Sequence, residues 1–219
     1  MRAVVFVNGE VSDYAMLARW VQPGDYLVGA DGGTRHILAL GLKPDVVVGD
    51  LDSLPPATVE ALAAQGVAIE RHPVAKDQTD LELALDRALH DGAGEILLLG
   101  ALGGRLDQTL ANVLILAQRA WPATIRLAEG NQVAQLLRGG DRLVLPNTVG
   151  STVSALAISP QVTGVTYHGL AYPLVNATLT LGSTRGVSNV ISASPATITI
   201  ATGFLLIVHT VEPGSAASI

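Results

Sequence analysis

Six short, largely apolar runs, at residues 3–7, 26–29, 46–48, 67–69, 96–99 and 124–127, most constrain what this 219-residue chain can fold into. A strand with one wet face alternates apolar and polar residues, whereas a strand covered on both faces does not. These runs therefore read as strands of a parallel sheet. The stretches between them carry helical spacing, as in Leu81, Leu85, Ala88 and Leu89, and again in Leu106, Leu110, Val113, Leu114 and Ala117. Thr79, with Glu82 three residues on, has the form of a capping box at the start of the first of these helices. Strands alternating with helices predict a doubly wound, Rossmann-like α/β domain over residues 1–128, with ligands at the carboxyl ends of the strands.

Beyond residues 129–131 the pattern changes. Segments 132–137, 141–145, 152–157, 162–167, 177–181, 196–201 and 204–210 are short, rich in Val, Ile, Thr and Leu, and separated by Gly, Pro, Asn and Ser. That spacing predicts an all-β domain over residues 129–219, a sandwich or a barrel. A hydrophobic content of 49% gives both domains enough material for a packed core. Residues 214–218 read as a frayed tail.

Charged clusters follow several of the expected strands. Gly49-Asp50-Leu51-Asp52-Ser53 sets two carboxylates at i and i+2, which share one side of an extended segment and can offer oxygens to a hard cation such as Mg²⁺. Asp52 is alternatively a cap for a helix beginning near Pro55. Asp31-Gly32-Gly33 lets the backbone approach a phosphate closely, or forms a tight turn capped by Asp31. Lys76-Asp77-Gln78-Thr79-Asp80 brings a cation and two carboxylates to a helix entrance, where acidic residues are also favoured by the macrodipole. Gly103-Gly104-Arg105-Leu106-Asp107 reads as a phosphate clamp built on the planar fork of Arg105, or as a structural Arg–Asp pair. In one parallel sheet these segments would converge on one crevice.

The remaining features mostly exclude. A net charge of −6 with no Lys/Arg run makes nucleic acid an unlikely partner, and the absence of cysteine removes thiol chemistry. The opening apolar run is too short for a signal-peptide core, and no run approaches the ~20 residues that span a bilayer, so a cytoplasmic location is expected. The five histidines show no metal-ligand spacing.

The ordered set Ala-Asp-Gly-Gly, Gly-Asp-Leu-Asp-Ser, Lys-Asp-Gln-Thr-Asp, Gly-Gly-Arg-Leu-Asp, then residues 169–174 and Gly186-Val187-Ser188-Asn189, resembles the thiamine pyrophosphokinase family. The resemblance spans nearly the whole chain. It implies an α/β catalytic domain followed by a β-sandwich, and a homodimer whose thiamine site draws on both subunits. The implied reaction is transfer of a diphosphoryl group from ATP to the hydroxyl of thiamine, giving thiamine diphosphate and AMP.

By the same resemblance Asp50, Asp52 and Asp80 hold Mg²⁺, while Asp31, Asp77, Arg105 and Asp107 line the ATP phosphates together with Gly32, Gly33, Lys76 and Thr79. Ser188 and Asn189, with Thr184 nearby, belong to the thiamine pocket. Asp80 is the candidate acceptor of the hydroxyl proton. The chain departs from the common bacterial pattern at Ala171, Val190 and Gln108. The first two keep open a diphosphokinase for another heterocyclic alcohol, such as a pterin. A nucleotide-binding sensor without chemistry is the rival outside enzymes.

Overall fold

A computed structural model describes residues 1–145 and 149–211, so the expected tail at 214–218 lies outside the described residues. The chain divides into two compact units, Met1–Gly130 and Asn131–Ile219.

In the first unit the elements run β1 (Arg2–Phe6), α1 (Tyr14–Ala18), β2 (Tyr26–Ala30), a 3-10 turn (Asp31–Gly33), α2 (Thr34–Ala39), β3 (Val46–Gly49), α3 (Pro56–Ala64), β4 (Ala68–Arg71), α4 (Asp80–His90), β5 (Glu95–Leu99), α5 (Leu106–Gln118) and β6 (Thr124–Glu129). The strands lie in the order β6-β5-β1-β2-β3-β4, and every pairing is parallel. Val4, Val5, Phe6, Val46, Val47, Val48, Leu98 and Leu99 are all fully buried, as two-sided cover requires. The strand expected at 67–69 differs. It becomes β4, whose residues are partly or fully exposed, because it is the edge strand and pairs only with β3.

The chain runs outward from β1 to β4 on one side of β1 and then to β5 and β6 on the other. The strand order thus reverses between β1 and β5, the place where a doubly wound sheet opens a crevice. Thr79 caps α4 as expected, accepting from the Glu82 amide at 3.2 Å, a contact worth about 1 kcal/mol.

The second unit contains β7 (Gln132–Arg138), β8 (Arg142–Leu145), β9 (Thr152–Ala157), β10 (Gln161–His168), β11 (Ala177–Thr180), β12 (Asn189–Val190), β13 (Ala196–Thr199) and β14 (Phe204–Thr210). Strands β12-β9-β14-β7 and β11-β10-β13-β8 form two antiparallel layers. Val153 and Ala155 of β9, Leu205 and Ile207 of β14, Val162, Val165 and Tyr167 of β10, and Ile198 of β13 meet in one core. Alternate residues of β9 and β10 turn inward, and the result is a β-sandwich. Among the described residues no helix is long and apolar enough to cross a membrane.

Candidate active site

A cavity of about 550 Å³ opens at the carboxyl ends of the parallel strands. Its wall takes Asn8, Gly9 and Glu10 from the segment after β1, Asp31 and Arg35 from that after β2, Asp50 and Asp52 from that after β3, Lys76 and Asp80 from the α4 entrance, and Gly103, Gly104 and Arg105 from that after β5.

The Asp50–Asp52 segment meets the cavity by a route other than the expected extended geometry. Leu51 sits in the left-handed region at φ 66° and is buried with Leu54, Val59 and Leu62. Burying that side chain in a tight turn leaves the carboxylates on either side of it to face the cavity. The Asp52 amide donates to Oδ1 of Asp50 at 3.2 Å, and Ser53 Oγ donates to Oδ1 of Asp52 at 3.1 Å. Asp52 does not cap α3, whose start at Pro55 has no side-chain cap bond.

Asp31 is buried at φ 44°, and its Oδ1 has no hydrogen-bond partner. It caps neither the 3-10 turn nor α2. Asp31, Asp50 and Asp52 each bring one oxygen to a group lying within 4.8 Å of one another. Gly49, at φ 147°, permits the crowding, since a Cβ there would stand 3.0 Å from Cβ of Asp31 and 3.1 Å from Oδ1 of Asp80. Gly33 likewise has no room for a side chain, because a Cβ would meet the Phe6 carbonyl oxygen at 2.0 Å.

Lys76 reaches Oδ1 of Asp80 at 3.0 Å and Oδ2 of Asp50 at 3.4 Å. Burial acts to raise the Asp50 carboxyl, but the Asp52 amide and the Lys76 ammonium outweigh it and hold the group below the usual carboxylate range. Asp80 goes the other way. Its burial, reinforced by the nearby Asp50 and Asp31, raises its carboxyl more than Lys76 lowers it. For Lys76 burial disfavours the charged form, yet Asp80 and Asp50 prevail and raise it.

Arg105 is exposed and turned onto Asp107, with Nε donating to Oδ1 at 3.1 Å and a terminal nitrogen donating to Oδ2 at 2.5 Å. Arg105 and Thr79 line the cavity, whereas Asp77 and Asp107 are exposed and do not, and Gly32 and Gly33 are buried beneath it. Asn8, Glu10 and Arg35 line it without having been singled out from sequence. The signal for Asn8 and Glu10 was present, since they follow the first strand and so obey the same carboxyl-end rule. His36 anchors that segment. It accepts from the Tyr14 hydroxyl at 2.8 Å through Nδ1 and donates through Nε2 to the Gly9 carbonyl at 3.1 Å, a pairing that defines the neutral tautomer.

In the second unit Thr184 and Ser188 are exposed on one loop, and Asn189 is buried at its end. The loop is tied to β9: the Ala155 amide donates to the Gly186 carbonyl at 2.8 Å and the Ser188 amide donates to Ser154 Oγ at 3.0 Å. Ser188 takes φ 59°. The Asn189 side chain is largely spent on backbone. Its Oδ1 accepts from the amides of Tyr172 at 3.0 Å and Val190 at 2.9 Å, and its Nδ2 donates to the Tyr172 carbonyl at 2.8 Å. Asn189 therefore holds the segment that carries Tyr172.

A doubly wound domain whose carboxyl-end crevice gathers carboxylates and cations, the place where open α/β sheets bind their ligands, is followed in sequence by a β-sandwich. Residues 17–126 match the family model described as thiamin pyrophosphokinase, catalytic domain, and residues 142–205 match thiamin pyrophosphokinase, vitamin B1 binding domain. The chain belongs to the thiamin pyrophosphokinase family. It is similar to the thiamine pyrophosphokinase of Bacillus subtilis (strain 168), with 31% identity over 186 residues, 84% of this chain and 87% of that one. A crystal structure of thiamine pyrophosphokinase from Bacillus subtilis superposes with a TM-score of 0.86 at 27% identity, covering 97% of this chain and 100% of that one. That from Geobacillus thermodenitrificans gives 0.83 at 28% identity, covering 98% and 99%.

Proposed function

We propose that the chain is a thiamine diphosphokinase that moves a diphosphoryl group from ATP to the hydroxyl of thiamine, releasing AMP. The observation that carries this reading is the crevice of a family member in which Asp31, Asp50 and Asp52 bring oxygens within 4.8 Å of one another while Lys76 bridges Asp50 and Asp80.

The donor set suits a hard divalent cation. All three groups offer oxygen, and the buried Oδ1 of Asp31 has no hydrogen-bond partner that a ligand would have to displace. Asp50, Asp52 and Asp31 would hold Mg²⁺, with Asp80 completing the acidic set from the first turn of α4. A Mg²⁺ ion held there would supply positive charge against the polyphosphate. The chain's own residues then position the reactants, which is most of what phosphoryl transfer requires. Lys76, and Arg105 once released from Asp107, offset charge on the phosphate oxygens. The thiamine oxygen forms its bond to the β-phosphorus as the bond to the bridging oxygen of AMP breaks, and the hydroxyl proton leaves to a nearby carboxylate, for which Asp80 is the candidate.

Thr184 and Ser188 are proposed contacts of the acceptor, and Asn189 supports them by fixing the Tyr172 segment. The reading carries with it a cytoplasmic homodimer in which both subunits build the acceptor site. The test is incubation with ATP, Mg²⁺ and thiamine. AMP with thiamine diphosphate is expected; ADP with a monophosphate, or product only from another heterocyclic alcohol, overturns it.

A further inference from the structure

Three cationic side chains line the crevice: Arg35, Lys76 and Arg105. Two are already engaged by carboxylates, Lys76 by Asp80 and Asp50, and Arg105 by Asp107. Arg35 makes no ion pair with any described residue. One terminal nitrogen donates to the Gly9 carbonyl at 3.1 Å, the same oxygen that His36 Nε2 approaches at 3.1 Å. The guanidinium has five N–H donors, and this contact accounts for one. It is therefore anchored at one point by backbone and open elsewhere, on a wall it shares with Asp31, Asp50 and Asp52.

For a polyphosphate entering this crevice the three cations are not equivalent. Arg105 must release a bidentate partner, and Lys76 is shared between two carboxylates. Arg35 has no carboxylate to release among the described residues. Its planar fork matches two phosphate oxygens at once, whereas an ammonium presents a point charge. The carboxylates that share the cavity wall with it raise the need for such a group, because carboxylates alone repel phosphate oxygens.

We propose that Arg35 is a polyphosphate-binding residue of the nucleotide site, held in place by the Gly9 carbonyl. The assignment rests on the nucleotide reading given above and adds to it a residue that comes from the segment after β2.

The test uses the full chain with Arg35→Gln, which removes the guanidinium charge and leaves a polar side chain at an exposed position. Calorimetric titrations with ATP and with inorganic tripolyphosphate, each with Mg²⁺, are compared between wild type and variant beside a melting curve without ligand. The expected result is a loss of about tenfold in affinity for both probes, of the size of one charge-assisted contact, with an unchanged melting curve. Undiminished ATP affinity in the variant overturns the assignment, as does a loss seen with ATP and absent with tripolyphosphate, which would put Arg35 against the nucleoside. Wild-type protein that binds neither probe overturns the nucleotide reading itself, and the assignment with it.

Discussion

The ammonium of Lys76 lies 3.0 Å from Oδ1 of Asp80, one helical turn away in sequence and at the mouth of α4. With Asp50 on its other side at 3.4 Å, it is the cation that lets carboxylates gather in the crevice before any ligand arrives. Lys76→Met should therefore lower apo stability by about 1–3 kcal/mol, the scale of leaving a partly buried charge unpaired. A divalent cation can replace the lost charge, so Mg²⁺ should raise the melting temperature of the variant more than that of the wild type. Thermal melts with and without Mg²⁺ check this, and equal shifts in both proteins would speak against it.

Asn replacement tests whether the charge on Asp31, Asp50 and Asp52 serves the reaction. Asn keeps the shape, tolerates the left-handed backbone of residue 31 and caps as well as Asp, but it removes the charge that a cation needs. Each change should reduce AMP release by at least ~10²-fold, of the order lost when a group stabilising transition-state charge is removed. Apo melting of Asp31→Asn and Asp52→Asn should be unchanged or raised through relief of repulsion. Near-native rates in these variants would remove the carboxylates from the reaction.

His36 predicts a pH dependence of stability. Burial lowers its pKa below the ordinary histidine value, while the Gly9 carbonyl opposes that only in part. Between about pH 6.5 and the lower folded-state pKa the unfolded chain binds a proton that the native chain excludes. Its contribution is fully present above about pH 6.5 and is lost as pH falls through that window, with a slope of at most about 1.4 kcal/mol per pH unit. Urea melts from pH 8 to pH 5 should show a shallower fall in His36→Gln than in wild type.

Asn189→Ala should cost about 1–3 kcal/mol, because it leaves the amide and carbonyl of Tyr172 without their partner beside a buried site. If the Tyr172 segment borders the acceptor, KM for thiamine should rise more than KM for ATP. A melting curve and paired substrate titrations read both effects, and a variant with native stability would dismiss the clamp.

The proposed subunit-shared acceptor site makes a mixing experiment decisive. Inactive Asp52→Asn chains, combined with inactive chains altered at Ser188, should recover part of the activity in heterodimers. No recovery, with subunit exchange demonstrated, would place each site within one chain.

Much of the fold was written locally. Val46, Val47 and Val48 form an unbroken apolar run because a parallel strand is covered on both faces, and Thr79 announces α4 because an N-cap acts within one turn. The order of strands and helices, the change to a sandwich near residue 130, and the clusters at strand ends follow from such short-range rules. The two-residue strand β12 escaped them, since two residues are too few to show a period.

Which groups meet was decided only by the tertiary structure. Asp31 comes from the segment after β2 and Asp50 from that after β3, and their approach depends on the β2–β3 register and on the missing side chain at Gly49. The family resemblance grouped Asp80 with Asp50 and Asp52, whereas the three oxygens lying within 4.8 Å belong to Asp31, Asp50 and Asp52. Arg35 carried no motif at all, because standing on the cavity wall without a carboxylate partner is a property of its surroundings. Sequence by itself determined the elements and the supply of charges, through periodicity and capping that act over a few residues. Long-range packing decided which charges pair and which remain open, since an ion pair or a shared cation site is a distance between segments that are far apart in the chain.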